Sequence, residues 1–351
     1  MKRSRLSLIL LFIVAAMLLS SCGEMLSGTS WPGVSSNGDT LFVAYRNHVY
    51  AVRVSDGTML WRFPADGGPQ MFFAMPVLTD NQLLVGDYDS NLYSLDPNTG
   101  VERWVFREAN GDWIASPLVV NDMILAPNGD HNLYALAMNG SLLWKFPTGN
   151  PLWSRPVSDG EFVFQASMDH HLYAIDLRDG SKVWSTDLGG AVIYSPTISE
   201  DGVLYVSTLA RNLSAIEAAT GNILWQRSFE ENLWTQPALH EDRLFFGDMA
   251  GQIYSVSITD GGDIWTQNVD QPVTGQPTIM DEMVIFPIEE GMLIATSLTG
   301  ERLWSITVDG KLFTGPVVTG DRLAVGISGG QNFLKLIGSN GSDIWTFVPP
   351  N

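Results

Sequence analysis

The sequence predicts an all-β protein, an eight-bladed β-propeller built from four-stranded antiparallel blades. Three observations carry that prediction. The pattern Gly-x-x-x-Trp occurs eight times, at Gly57/Trp61, Gly100/Trp104, Gly140/Trp144, Gly180/Trp184, Gly221/Trp225, Gly261/Trp265, Gly300/Trp304 and Gly341/Trp345, with consecutive tryptophans 39 to 43 residues apart. A proline stands 27 to 29 residues before each of these tryptophans: Pro32, Pro76, Pro117, Pro156, Pro196, Pro237, Pro277 and Pro316. Each period also holds four short apolar runs; in residues 115–146 these are ASPLVV, MILAP, LYALA and LLWKF, separated by ND, NGDHN and MNG. Strands of about five residues joined by Asn/Asp/Gly turns are hairpins. Four antiparallel strands in about 40 residues, repeated eight times, make a propeller.

Each element of the period has a physical reason. The proline opens the innermost strand, an edge beside the central channel where a missing N–H is tolerated. The third strand carries Tyr50, Tyr93, Tyr134, Tyr173 and Tyr254, expected to pack there. Glycine sits in the tight turn between third and fourth strands, where a positive φ is needed. The tryptophan lies on the outer strand and points into the seam between blades. The eight tryptophans Trp61, Trp104, Trp144, Trp184, Trp225, Trp265, Trp304 and Trp345 are therefore expected to be structural residues of the repeat. The first blade begins near Trp31 and the last ends in DIWTFV. All eight blades are expected to be complete in chain order, with the ring closed by packing of the eighth against the first. Residues 30–351 form this one propeller, expected to be monomeric.

Residues 1–21 read as a signal peptide. Lys2, Arg3 and Arg5 precede the apolar run LSLILLFIVAAMLL, which is too short and too near the start to be a spanning helix of the mature protein. The run ends in LSSC, which resembles a bacterial lipobox, with Cys22 as the lipidated residue. Residues 22–29 would then be a lipidated tether. Cys22 is the single cysteine, so the chain can form no internal disulfide, and cysteine catalysis and a zinc–thiolate site are disfavoured. Gly23 follows it; an aspartate there would have resembled the inner-membrane retention signal of lipoproteins. Removing residues 1–21 takes three positive charges and no negative ones from a formal net charge of −19, leaving −22. A chain this acidic is repelled by phosphate backbones and anionic lipid, which disfavours nucleic-acid binding and leaves the acyl chain to hold it to a membrane.

The repeats LYSLDPNTGVERW and LYAIDLRDGSKVW resemble the quinoprotein-type (PQQ-like) propeller repeat, over residues 30–351. Two groups share it. Quinoprotein dehydrogenases hold pyrroloquinoline quinone and Ca²⁺ in the channel. A cofactor-free group includes the assembly lipoprotein of the outer-membrane β-barrel assembly machinery. The lipobox, the length and the eight minimal blades resemble the second group. The dehydrogenases are longer, many carry a vicinal disulfide that this chain cannot form, and their calcium ligands and catalytic aspartate find no match here. The resemblance therefore implies no cofactor.

Candidate sites follow from the repeat. The connection from each outer strand to the next inner strand runs toward the channel, and most carry an aromatic two to four residues before the proline: Phe72, Phe73, Trp113, Trp153, Tyr194, Trp234 and Phe313. Arg155 is the only cation immediately before one of these prolines. Two readings of the aromatic set are open: a ring at the channel mouth that grips a partner, or a plug packing the tops of the inner strands. Exposure decides between them. Asp87 to Asn91, DYDSN, places oxygens at calcium-loop spacing but lacks the downstream glutamate of a full loop, and Asp and Asn are ordinary turn residues. His48, His131, His170 and His171 fall in turns between second and third strands, where solvated histidines are expected rather than a metal site. No catalytic triad, paired carboxylates or phosphate loop stands out.

The sequence thus points to a non-enzymatic, lipid-anchored scaffold that binds other envelope proteins, with a role in outer-membrane β-barrel assembly if the cell has an outer membrane. It would lie on that membrane's periplasmic face, or on the cell surface where there is one membrane. The alternatives are a quinone-dependent dehydrogenase or sensor, and a surface ligand-binding or adhesion module.

Overall fold

The computed structural model describes residues 31–329 and 332–349. They form eight sheets of four antiparallel strands, each in chain order from the channel outward. The first blade runs through Gly33–Ser36, Thr40–Tyr45, His48–Arg53 and Met59–Phe63, and the eighth through Val317–Thr319, Arg322–Gly326, Leu334–Gly338 and Asp343–Phe347. The described residues contain no helix. Residues 1–29, with the expected signal peptide, Cys22 and the expected tether, lie outside the described residues.

The core is distributed rather than central. Eight hydrophobic clusters fill eight seams, each shared by two neighbouring blades. The second and third strands of a blade therefore meet apolar neighbours on both faces, and sequences such as LLVG and LYSL are buried throughout instead of alternating. The outer strands alternate between exposed and half-buried residues, as in KVWSTD. Several inner strands are shorter than the sequence suggests, only Val77–Leu78 in the second blade and Val157–Ser158 in the fourth.

The Gly/Trp pair acts between blades. Every repeat tryptophan donates its indole N–H to a backbone carbonyl of the following blade. Trp61 donates to Pro97 O (3.0 Å), Trp104 to Met138 O (3.1 Å), Trp144 to Leu177 O (3.1 Å) and Trp184 to Ala218 O (3.0 Å). Trp225 donates to Ile258 O (2.8 Å), Trp265 to Leu298 O (2.9 Å) and Trp304 to Ser339 O (2.9 Å). The repeat glycine of that following blade lies under the same ring. A Cβ on Gly221 would come within 2.6 Å of Trp184, and one on Gly100 within 2.5 Å of Trp61. Both glycines also have φ near +70° (76° and 70°), so space and backbone each demand glycine.

The rings point into the seams as the repeat implies, and they sit at the open edge of those seams. Only Trp61 is buried; Trp104, Trp144, Trp184, Trp225, Trp265, Trp304 and Trp345 are half-buried. They belong to the partly buried edge of the clusters, because the outer strand is the rim of the blade and one side of each seam opens there to solvent. The indole N–H to carbonyl bond, as much as burial, fixes them.

A β-bulge aims the ring. One outer-strand residue, such as Leu60, Val183 or Leu224, is skipped in pairing, and the tryptophan after it faces Ala51, Ala174 or Ala215 on the third strand. The skipped residues are left exposed.

The same device closes the ring. Trp345 donates to Val54 O at 2.9 Å and covers Gly57 of the first blade. Ser36 and Thr319 share a hydroxyl hydrogen bond of 2.8 Å, and one cluster joins Val34, Tyr45 and Tyr50 with Phe333, Leu336 and Phe347. No strand of one terminal blade is lent to the other among the described residues.

Candidate binding face and channel

The blade-to-blade connections lie on one face together with the turns between second and third strands, because their groups bond to one another. Gly149 N–H donates to the Asp169 carboxylate (2.6 Å), and Asn110 N–H to that of Asp130 (3.0 Å). Ahead of a bend two residues before the inner-strand proline of each connection, the residues four and three before that proline differ in burial in all but one connection. Four residues before the proline stand Phe72, Trp113, Leu152, Val192, Leu233, Val273 and Leu312, all buried to within 1% of complete. Their backbones are pinned to the preceding blade: Phe72 N–H donates to Arg46 O, Trp113 to Asp87 O, Val273 to Asp248 O and Leu312 to Glu289 O, at 2.7–3.0 Å. Three before the proline stand Phe73, Ile114, Trp153, Ile193, Trp234, Thr274 and Phe313. Of these Trp153 is exposed, Phe73, Ile114, Ile193, Trp234 and Phe313 are half-buried, and Thr274 is buried.

This difference divides the aromatic set. Phe72 and Trp113 do not belong to a surface ring; they are seam core. Trp113 packs on Phe106 and Tyr134, with ring centroids 6.5 and 5.9 Å away, and a Cβ on Gly86 would collide with it at 2.2 Å. Phe73, Trp153, Trp234 and Phe313 stand at the outward position. Phe73 meets Trp31 edge-on at 5.4 Å and lies 5.3 Å from the exposed Tyr88, while Phe313 lies 6.3 Å from Trp31. The result is a four-ring aromatic patch at the junction of the eighth, first and second blades. Aromatic residue type alone does not reveal Tyr88, Ile114 and Ile193; counting back from the proline finds the two isoleucines.

Tyr194 and Arg155 do not join this patch: Tyr194 lines the channel cavity, and Arg155 is half-buried with its Nε–H donating to Pro117 O of the third blade at 3.2 Å. Tyr194 stands two residues before its proline and reaches across to the connection before the seventh blade, donating its hydroxyl to Thr274 O at 2.9 Å. Burial pushes its phenol well above the ordinary tyrosine range. Beneath it the channel holds a cavity of about 610 Å³. Its walls come from the inner strands of the first and the fifth to eighth blades and from the connections before the second and eighth, with Met75, Gln236, Gln276, Thr197, Thr278 and Phe313 among them. Among the described residues no carboxylate lines this cavity. A quinone-bound divalent cation would find no charged oxygen there, so the residues present do not fit the calcium–quinone pair of the dehydrogenases.

The aspartates of DYDSN are also accounted for. Asp87 is fully buried. One of its oxygens accepts from the N–H of Asp89 and Asn91 (2.9 and 2.8 Å), the other from the Asn91 amide and the Tyr93 hydroxyl (2.8 and 2.9 Å). Asp130, Asp169 and Asp248 receive Tyr134, Tyr173 and Tyr254 in the same way, at 2.6–2.8 Å. Burial, reinforced by the neighbouring carboxylate, pushes these phenols far above their usual range. The feature is thus a repeated Asp–Tyr turn lock. His131 and His170 occupy left-handed positions of such turns, with φ of 70° and 76°, and His171 stacks on Tyr173. Among the described residues no three His, Cys, Asp or Glu side chains gather as metal ligands.

A family model described as outer membrane protein assembly factor BamB matches residues 19–151, 129–232 and 210–347. The chain belongs to the BamB family. Among its relatives, the BamB of Moranella endobia is 23% identical over 245 residues, covering 64% of this chain and 61% of that protein. The BamB of Shewanella oneidensis is 26% identical over 283 residues, covering 64% of this chain and 71% of that protein. The chain thus spans roughly two thirds of the length of these family members. The crystal structure of BamB from Moraxella catarrhalis superposes with a TM-score of 0.72 at 19% identity, covering 84% of this chain and 90% of that one, which shows a shared fold.

Proposed function

We propose that this protein is a non-enzymatic, lipid-anchored scaffold of the cell envelope that takes part in assembling outer-membrane β-barrel proteins by binding another assembly subunit through its connection face. Membership of the BamB family carries this reading. The outward side chains of the connections support it in detail: Trp153, Trp234, Phe73 and Phe313 offer rigid apolar area on a rim anchored by buried residues, the pattern of binding hot spots. The absence of carboxylates from the cavity lining supports a channel without calcium or quinone. Cys22 would be the acylated residue. On this reading Cys22→Ala leaves the membrane fraction.

The test is co-purification of the tagged full-length protein from mild-detergent extracts of its own membranes, followed by mass spectrometry. Recovery of an outer-membrane β-barrel with soluble periplasmic repeat domains is expected. Recovery of no such partner overturns the assembly reading, and a stoichiometric complex with added pyrroloquinoline quinone and Ca²⁺ would favour the dehydrogenase-like one.

A further inference from the structure

Trp31 marks the place where the chain from Cys22 meets the propeller. It immediately precedes Pro32 and leads into the first inner strand as the connections lead into the other seven, from the connection face. Its ring lies in the aromatic patch, 5.4 Å from Phe73 and 6.3 Å from Phe313, and Phe73 in turn lies 5.3 Å from Tyr88, which is 49% exposed. Cys22 stands nine residues before Trp31. Fully extended, nine residues span about 30 Å. Running from the inner strand over the blade to the outer strand takes three steps of about 4.8 Å, and descending a five-residue outer strand takes about 17 Å more. A tether that turned the far face of the propeller to a membrane would be fully used before it arrived. An anchor at Cys22 therefore holds either the connection face or the rim of the adjoining blades toward the lipid, and the patch lies beside the exit point in both cases.

The chemistry of the patch matches that place. Tryptophan and tyrosine join an apolar body to a polar tip and concentrate at the headgroup level of membranes. The charge that acts most strongly on the Tyr88 hydroxyl is the Asp112 carboxylate. Lys311, two residues before Phe313, is held by Glu289 and Glu290 at 2.8 and 3.0 Å. An anionic surface gains nothing from these groups, so the patch suits a zwitterionic one.

We propose that the patch of Trp31, Phe73, Tyr88 and Phe313 rests on the headgroup region of a zwitterionic phospholipid membrane, holding the eighth, first and second blades against the bilayer that Cys22 anchors. The proposal rests on the anchor reading above. Trp153 and Trp234, on the connections before the fourth and sixth blades, lie outside the patch and are left to a protein partner.

Cys22 is the single cysteine and acylation consumes its thiol, so an introduced cysteine is the one reactive thiol of the acylated protein. The test places a polarity-sensitive fluorophore on full-length, acylated Asp89→Cys, which leaves the four rings intact, and on Asn98→Cys, exposed in the same blade but in the turn between third and fourth strands on the opposite face. Each is reconstituted in vesicles of phosphatidylethanolamine and phosphatidylcholine, with and without a spin-labelled lipid that quenches on contact. Expected are a blue shift and the loss of more than half of the fluorescence at position 89, with almost none lost at position 98. Adding Trp31→Ala/Tyr88→Ala to Asp89→Cys should remove most of that quenching, and anionic phosphatidylglycerol should weaken it. Equal quenching at the two positions overturns the proposal, as does quenching that survives the loss of both rings or grows with anionic lipid. A label at position 89 that lipid does not quench in vesicles, but that shifts to the blue in native membranes, makes the patch a protein interface and overturns it too. Mass spectrometry of the native protein separates the two readings. An unacylated Cys22 removes the anchor and this proposal together; acylated protein that floats with vesicles yet fails the quenching test removes this proposal alone.

Discussion

Phe72 and Phe73 are the same residue type side by side, yet one is sealed in a seam and the other faces outward. Position relative to the proline, not chemistry, separates them. Trp113 shows the consequence. As an aromatic in a connection it reads like Trp153, but it stands one residue farther from its proline and fills the space left by Gly86. Trp113→Ala should therefore cost about 3–5 kcal/mol, measured by denaturant unfolding, and more than the loss of a half-buried repeat tryptophan such as Trp184. Glycine is the partner in the repeat. Gly221→Ala brings a Cβ against Trp184 at a φ of 76°. Destabilisation of about 1–3 kcal/mol from the backbone alone is expected, and Trp184→Ala should relieve part of the clash, so that the two substitutions are not additive. The turn requirement of this glycine was legible in the sequence. Its second duty, as the seat of a neighbour's indole, was not, because that neighbour lies one blade away.

At the scale of the element, the middle strands were legible because both faces are buried, which makes continuous apolar runs such as MILAP. The outer-strand bulge was hidden: nothing in ILW announces that one residue is skipped. The Asp–Tyr lock was visible only in halves, a turn aspartate that resembled a calcium ligand and a strand tyrosine that resembled packing. Joined, they have a pH signature. Tyr93, Tyr134, Tyr173 and Tyr254 titrate above the ordinary value of 10.0 in the folded protein. Their folded-state pKa values are raised, so the stability they contribute is complete below pH 10.0 and is lost as pH rises beyond it. Melting temperature should fall steeply above pH 10, and Tyr→Phe at two of the four positions should make that fall shallower. An unchanged slope would mean that the locks carry no linkage.

For the whole molecule, eight complete blades and closure by packing followed from counting periods. The ring is held by eight copies of one Trp–carbonyl bond, the last of them from Trp345 to Val54. What the repeat could not show was the channel, since Tyr194 bonds to a carbonyl 80 residues away and Arg155 caps one 38 residues before it. Such crossings exist only once the ring is closed. They set both residues apart from the outward aromatic positions.

The central claim is that the outward position of each connection binds and the inward position builds. The measurement that tests it most directly is partner recovery set beside melting temperature for two variants, Trp153→Ala/Trp234→Ala and Trp113→Ala. The first should melt within a few degrees of the native protein and lose its partner. The second should melt far lower, and the fraction that remains folded should keep the partner. If the outward pair instead destabilises the protein as much as Trp113→Ala does, or if partner recovery survives its loss, the connection face is not the interface.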